Sequence, residues 1–157
     1  MVSTYENDYY NNDKRNTRNT YLCDYNCGGY ALGTFNWYLP YEDYNEDTWS
    51  LYQERGMSVD EMADYYAEFM LKDFFGRLRR IKSIEEKMLD EKVIAFRCCE
   101  SDFHFCVRGD NGVWYHKPGS NTIRRIKKEE VFSDKWVSPS GWTVYDSKII
   151  LFAMKKS

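Results

Sequence analysis

The sequence predicts an α+β fold in which helices come first and an antiparallel sheet follows. Helical periodicity and both helix-capping patterns are confined to residues 27–90. The β-branched and aromatic runs, separated by turn residues, fill 92–155 instead. With 157 residues, 43% of them hydrophobic, the chain suits one domain that buries about 70% of its unfolded surface.

Taken in order, residues 1–20 are polar, Asn-rich and aperiodic, and read as a flexible arm ahead of a single domain over 21–157. From Cys27, the stretch CGGYALGTFNWYL sets Tyr30, Ala31, Phe35 and Tyr38 at helical offsets, and Pro40 should stop that helix at or before Leu39. The acidic, aromatic segment 41–57 reads as a loop or short helix suited to covering a cleft. Ser58 and Glu61 form a capping box for a helix over 59–78, whose apolar stripe is Met62, Tyr65, Tyr66, Phe69, Met70 and Phe74. A second box, Ser83 and Glu86, opens a short helix ending near Leu89, so 58–90 reads as a helical insertion. Strands are expected at 92–99, 103–108 and 112–117, with a short one in NTIRRI. The closing strand, 147–155, has an unbroken apolar run that implies burial on both faces.

Composition narrows the function. A net charge of −3 lacks the basic footprint of a nucleic-acid protein. The runs RLRRIK (77–82) and IRRIKK (123–128) read as solvated faces balanced by nearby glutamates. No apolar run approaches the roughly 20 residues needed to span a membrane, and no secretory leader opens the chain. The expectation is a soluble protein, cytoplasmic or exported without a visible signal peptide. Cysteines stand at 23, 27, 98, 99 and 106; an odd count leaves one thiol over in any disulfide framework, and free thiols in a reducing compartment fit better. Together with His104 and His116 these are possible zinc ligands, but C-x3-C followed by CC…H-x-C fits no common zinc module, so no metal or organic cofactor is expected.

Two stretches carry chemistry. In HFCVRGDNGVWYH, a three-residue loop Asp110-Asn111-Gly112 places Gly112 in the left-handed position of a type I turn with a G1 bulge. Counting back, Cys106 then lies opposite His116, and His104, Cys106 and His116 share one face; a two- or four-residue loop would separate the histidines. In YNCGGYAL, Cys27 stands at a helix start, where the dipole favours thiolate over thiol and backbone N–H groups suit an oxyanion. Gly28 and Gly29 would leave room for a substrate backbone. An imidazole beside such a thiol takes its proton, and a second polar group fixes the imidazole's tautomer. Trp37, Tyr38 and Trp49 are candidates for the cleft wall.

These motifs resemble the papain-like cysteine hydrolases, in particular their compact NlpC-type branch. NCGGYAL is similar to that family's Cys at a helix start, and HFCVRGDNGVWYH to its His-to-His hairpin. The resemblance implies Cys27 as nucleophile, His104 as base and His116 as orienting group, acting on a peptide or protein substrate through a thioester. Two features depart from the family pattern: Asn26-Cys27-Gly28 replaces the usual Asp-Cys-Ser, and the segment 58–90 separates Cys27 from His104.

Plainer readings stand beside these. Cys27 can be a small buried hydrophobe and His104 a satisfied strand histidine. Cys23 is a rival nucleophile, disfavoured by Asp24 next to it. Lys117 reads as solvated and Asp102 as a turn residue. At the level of function, the alternatives are a catalytically silent binding module, such as a phage or bacterial interaction protein, and a toxin or effector using the same centre on host proteins.

Overall fold

Val93 through Cys98 are all buried, as are Ile150 through Met154. Strands with this pattern need cover on both sides of their sheet. The computed structural model, which describes residues 22–156, supplies that cover as three layers; the predicted arm, 1–20, lies outside the described residues. The central layer is a six-stranded sheet of β1 (Leu78–Ile81), β2 (Glu91–Cys98), β3 (Phe103–Arg108), β4 (Trp114–His116), β5 (Arg124–Ile126) and the closing strand β8 (Ile150–Lys155). Its order is β1-β8-β2-β3-β4-β5, and every pairing is antiparallel. Among the described residues no helix is long and apolar enough to cross a membrane.

One face of the sheet carries Phe96, Phe105, Tyr115 and Phe152 and is covered by helices α1 (Cys27–Leu32) and α2 (Val59–Asp73). The other carries Val93, Ala95, Cys106, Trp114 and Leu151. Val131 of helix α3 (Lys128–Val131) and a small hairpin, β6 (Trp136–Val137) with β7 (Val144–Tyr145), cover it. Helix α2 begins with the expected capping box, Glu61 N–H to Ser58 Oγ at 3.1 Å and Ser58 N–H to Glu61 Oε1 at 3.0 Å. Its buried stripe is Met62, Ala63, Tyr66, Ala67 and Met70.

Three elements differ from expectation. Helix α1 stops at Leu32, well before Pro40, because Gly33 adopts φ 75° and donates its N–H to the Gly29 and Tyr30 carbonyls. The chain then folds back so that the Asn36 carbonyl lies on Gly29, where a Cβ would be 1.9 Å from that oxygen. Tyr38 is therefore buried from a loop and not from a helix. Helix α2 ends at Asp73, and the run predicted as helix end and solvated face, 77–82, forms edge strand β1 with Leu78 and Ile81 turned inward. Arg79 pairs with Glu91 at 2.8 Å and Arg80 with Asp64 at 2.9 Å. Segment 58–90 thus contributes a strand of the main sheet, and the second capping box opens only a 3-10 turn, Ile84–Glu86.

Gly29→Ala is expected to destabilise the protein by about 3 kcal/mol, because neither the helix backbone nor the Asn36 carbonyl can yield to a methyl at that distance. Urea unfolding with an unchanged m-value checks this.

Candidate functional site

The hairpin takes the three-residue loop. Gly109 N–H bonds Val113 O at 2.8 Å, Gly112 N–H bonds Gly109 O at 3.0 Å, and Gly112 sits at φ 81°. The paired register is Val107↔Tyr115 and Arg108↔Trp114, with Cys106 and His116 each one residue beyond the last pair. His104, Cys106 and His116 accordingly come together, with one ligating atom from each lying within 4.8 Å of the others. His104 Nε2 and His116 Nδ1 are 2.8 Å apart, a hydrogen bond between nearly perpendicular rings.

The helix start is built by Asn26. Its Oδ1 accepts the N–H groups of Gly29 and Tyr38, both at 2.9 Å, and its Nδ2 donates to Tyr38 O at 2.7 Å. One side chain thus caps α1 and ties the returning loop to it. Lys117 holds the residue before Asn26. It is fully buried, contrary to the solvated reading, and Nζ donates to Tyr25 O and Gly119 O while lying 4.5 Å from the centre of the Tyr25 ring. Strands β3 and β4 pair only at 107–108 with 114–115, and beyond that point the Phe105 N–H bonds the Cys27 sulfur. The nucleophile candidate therefore sits where the sheet splits, one residue from His104.

Cys27, His104 and His116 line one cavity of about 1100 Å³, together with Trp37, Trp49, Asp102, Trp136 and Tyr145. Tyr38 lies outside this lining; its ring packs on Phe74 and Phe105. Gly28 and Gly29 also lie outside it. Their open sides face Tyr38, Phe105 and Asn36, so the glycines serve close packing of α1 and leave no room for a substrate backbone. Cys23 is exposed, beside Asp24; Cys98 and Cys99 are buried, and Cys98 Sγ reaches Val59 O at 3.5 Å.

Sequence reasoning missed the second wall of the site. Tyr145 stacks on His104 with centroids 5.4 Å apart, and Trp136 meets it edge-on at 6.0 Å. The Tyr145 hydroxyl donates to Asp102 Oδ2 at 3.2 Å, while Asp102 Oδ1 accepts the Phe103 N–H at 2.7 Å. Asp102 is thus a structural acceptor beside His104 as well as a turn residue. Strands of two residues each are too short to register as alternation, so neither aromatic had a readable signal.

Burial dominates the electrostatics. It pushes the Cys27 thiol up to about 12; Asp102 adds to this, while the Phe105 and Gly28 N–H bonds and Lys117 oppose it. Burial and the neighbouring His116 hold His104 well below the ordinary histidine range. Burial and Arg124 bring His116 down to about 4. At neutral pH the thiol and both imidazoles are uncharged. The expected thiolate does not form at rest, because burial outweighs the helix start. A helix terminus contributes about 0.3–1 kcal/mol, whereas a thiol at about 12 reflects desolvation of roughly 4 kcal/mol.

Comparison with protein-family models, curated proteins and solved structures finds no match to this chain. The fold stands as α+β with a six-stranded antiparallel sheet.

Lys117→Met should destabilise the protein by about 3 kcal/mol, since two buried carbonyls lose their donor and the methionine supplies none. The same variant should make Cys27 more accessible to alkylation, because Tyr25 is no longer anchored; urea unfolding and thiol-labelling rates read the two effects separately.

Proposed function

We propose that the protein is a papain-like cysteine hydrolase or acyltransferase acting on peptide or amide bonds. What carries the reading is the shared cavity of Cys27 and a neutral imidazole pair in which His104 Nε2 is already engaged by His116. In the tautomer in which His104 Nε2–H donates to His116 Nδ1, His104 Nδ1 is the nitrogen that receives the thiol proton. In the reaction the Cys27 sulfur attacks the substrate carbonyl as its proton passes to His104 Nδ1. The His104–His116 hydrogen bond spreads the charge of the imidazolium so formed. The amine leaves with the proton from His104, and water or an acceptor amine then releases the acyl group from sulfur. Trp37 and Trp49, 52% and 60% exposed, give the cavity an aromatic rim suited to a peptide or protein chain.

An electrophilic peptide probe tests this. Mass spectrometry should find it on Cys27, and Cys27→Ser and His104→Ala should both lose it. Labelling confined to Cys23, or unaffected by His104→Ala, overturns the proposal.

A second reading is favoured by the same sulfur. Cys27 is only 5% exposed and its thiol stands at about 12, as in a packing residue. A catalytically silent module would use the aromatic rim to dock a protein partner, and probe labelling no faster than that of an unfolded cysteine peptide supports it.

A further inference from the structure

Cys106 plays no part in the chemistry above, yet it shares a face with both histidines. We infer that His104, Cys106 and His116 form a binding site for a borderline divalent transition metal, Zn²⁺ or Co²⁺, whose occupancy switches the imidazole base off. Two imidazoles and a thiol are the ligand set such ions select. Positions 104 and 106 alternate onto one face of β3, and 116 directly follows the last paired residue of β4, so a single hairpin brings all three together. With Zn–N near 2.0 Å and Zn–S near 2.3 Å, tetrahedral nitrogens stand roughly 3.3 Å apart and each nitrogen roughly 3.5 Å from the sulfur. The imidazole nitrogens, 2.8 Å apart, open by about half an ångström to reach this, and the sulfur moves inward by at most about 1.3 Å from the 4.8 Å limit.

The two imidazole nitrogens and the Cys106 sulfur already converge within 4.8 Å of one another, so the ligand set is assembled before an ion arrives. The Cys106 thiol gives up one proton to solvent on binding, and the ion replaces it on sulfur. Arg97 on the adjacent strand favours the thiolate and disfavours the cation, and Glu130 acts on Cys106 in the opposite sense and more weakly. His104 and His116 line the cavity, which gives the ion its route and leaves its fourth position to water. Metal on His104 Nε2 fixes the ring proton on Nδ1. That nitrogen can then no longer accept a proton from Cys27; this consequence, unlike binding itself, rests on the hydrolase reading.

Co²⁺ titration of the full chain at pH 7, followed by absorption spectroscopy and equilibrium dialysis, provides the test. One equivalent should bind, with a thiolate-to-cobalt charge-transfer band and tetrahedral visible bands. Cys106→Ser should abolish the charge-transfer band and weaken binding on the order of 100-fold, while Cys27→Ala keeps both. Circular dichroism verifies that each variant is folded, and His116→Asn gives an independent ligand deletion with the same expected loss. A band lost in Cys27→Ala but kept in Cys106→Ser overturns the site, as does absence of stoichiometric binding. Co²⁺ bound through Cys106 in a protein that the peptide probe never labels sustains the site and sinks the hydrolase reading. Probe labelling of Cys27 that saturating Zn²⁺ leaves unchanged overturns the switch.

Discussion

His104→Ala is expected to slow acylation of Cys27 by on the order of 10⁴-fold at pH 7, and to change the shape of its pH profile. With the thiol at about 12, only about one molecule in 10⁵ carries a thiolate at pH 7. A preformed ion pair is therefore absent, and on the proposed hydrolase reading the rate rests on proton transfer in the transition state, a contribution of up to about 10⁴-fold for a well-placed base. His104 stays neutral to well below pH 6.5, so kcat/KM of the native protein should be flat from about pH 6.5 to 8. In His104→Ala the rate should climb about tenfold per pH unit across the same range, because only pre-existing thiolate reacts. His116→Asn should cost less, about 10- to 100-fold, since it removes the partner that orients the base and leaves the base itself. A variant of His104 whose profile parallels the native one would show that this imidazole never takes the proton.

The part of this site legible in the sequence is the part fixed by local rules. Gly112 dictates the loop, the loop dictates the register, and the register brings His104, Cys106 and His116 to one face. The helix start at Cys27 was readable from Asn26 and the residues after it, although Gly33 ended the helix sooner than Pro40 required. What could not be read was set by contacts distant along the chain. Lys117 is buried because the Tyr25 carbonyl, 92 residues away, needs a donor. Gly29 is needed because a loop carbonyl returns onto it. Strand β1 looked like a charged helix end because its arginines find partners in Glu91 and Asp64 only after folding. The helix start at Cys27 favours the thiolate through the Gly28 N–H, but burial, which depends on contacts distant along the chain, outweighs it.

The same burial should make the protein markedly acid-sensitive. His104 and His116 titrate lower in the folded chain than in the unfolded one. Between pH 6.5 and about 4 the unfolded chain therefore binds more protons, and stability is complete above pH 6.5 and falls as the pH drops. Each group so displaced removes about 1.4 kcal/mol per pH unit, so the unfolding free energy should fall by about 2–4 kcal/mol between pH 7 and pH 5. Over that interval most carboxylates remain ionised in both states. Asp102 works in the opposite direction: burial raises it, so its protonation on acidification favours the folded state and offsets part of the loss. Urea unfolding at pH 7 and pH 5 checks the slope, and His104→Asn combined with His116→Asn should remove most of it. A native protein equally stable at both values would mean that the two rings take up protons in the folded state. Their hydrogen bond would then be replaced by repulsion between two largely buried cations.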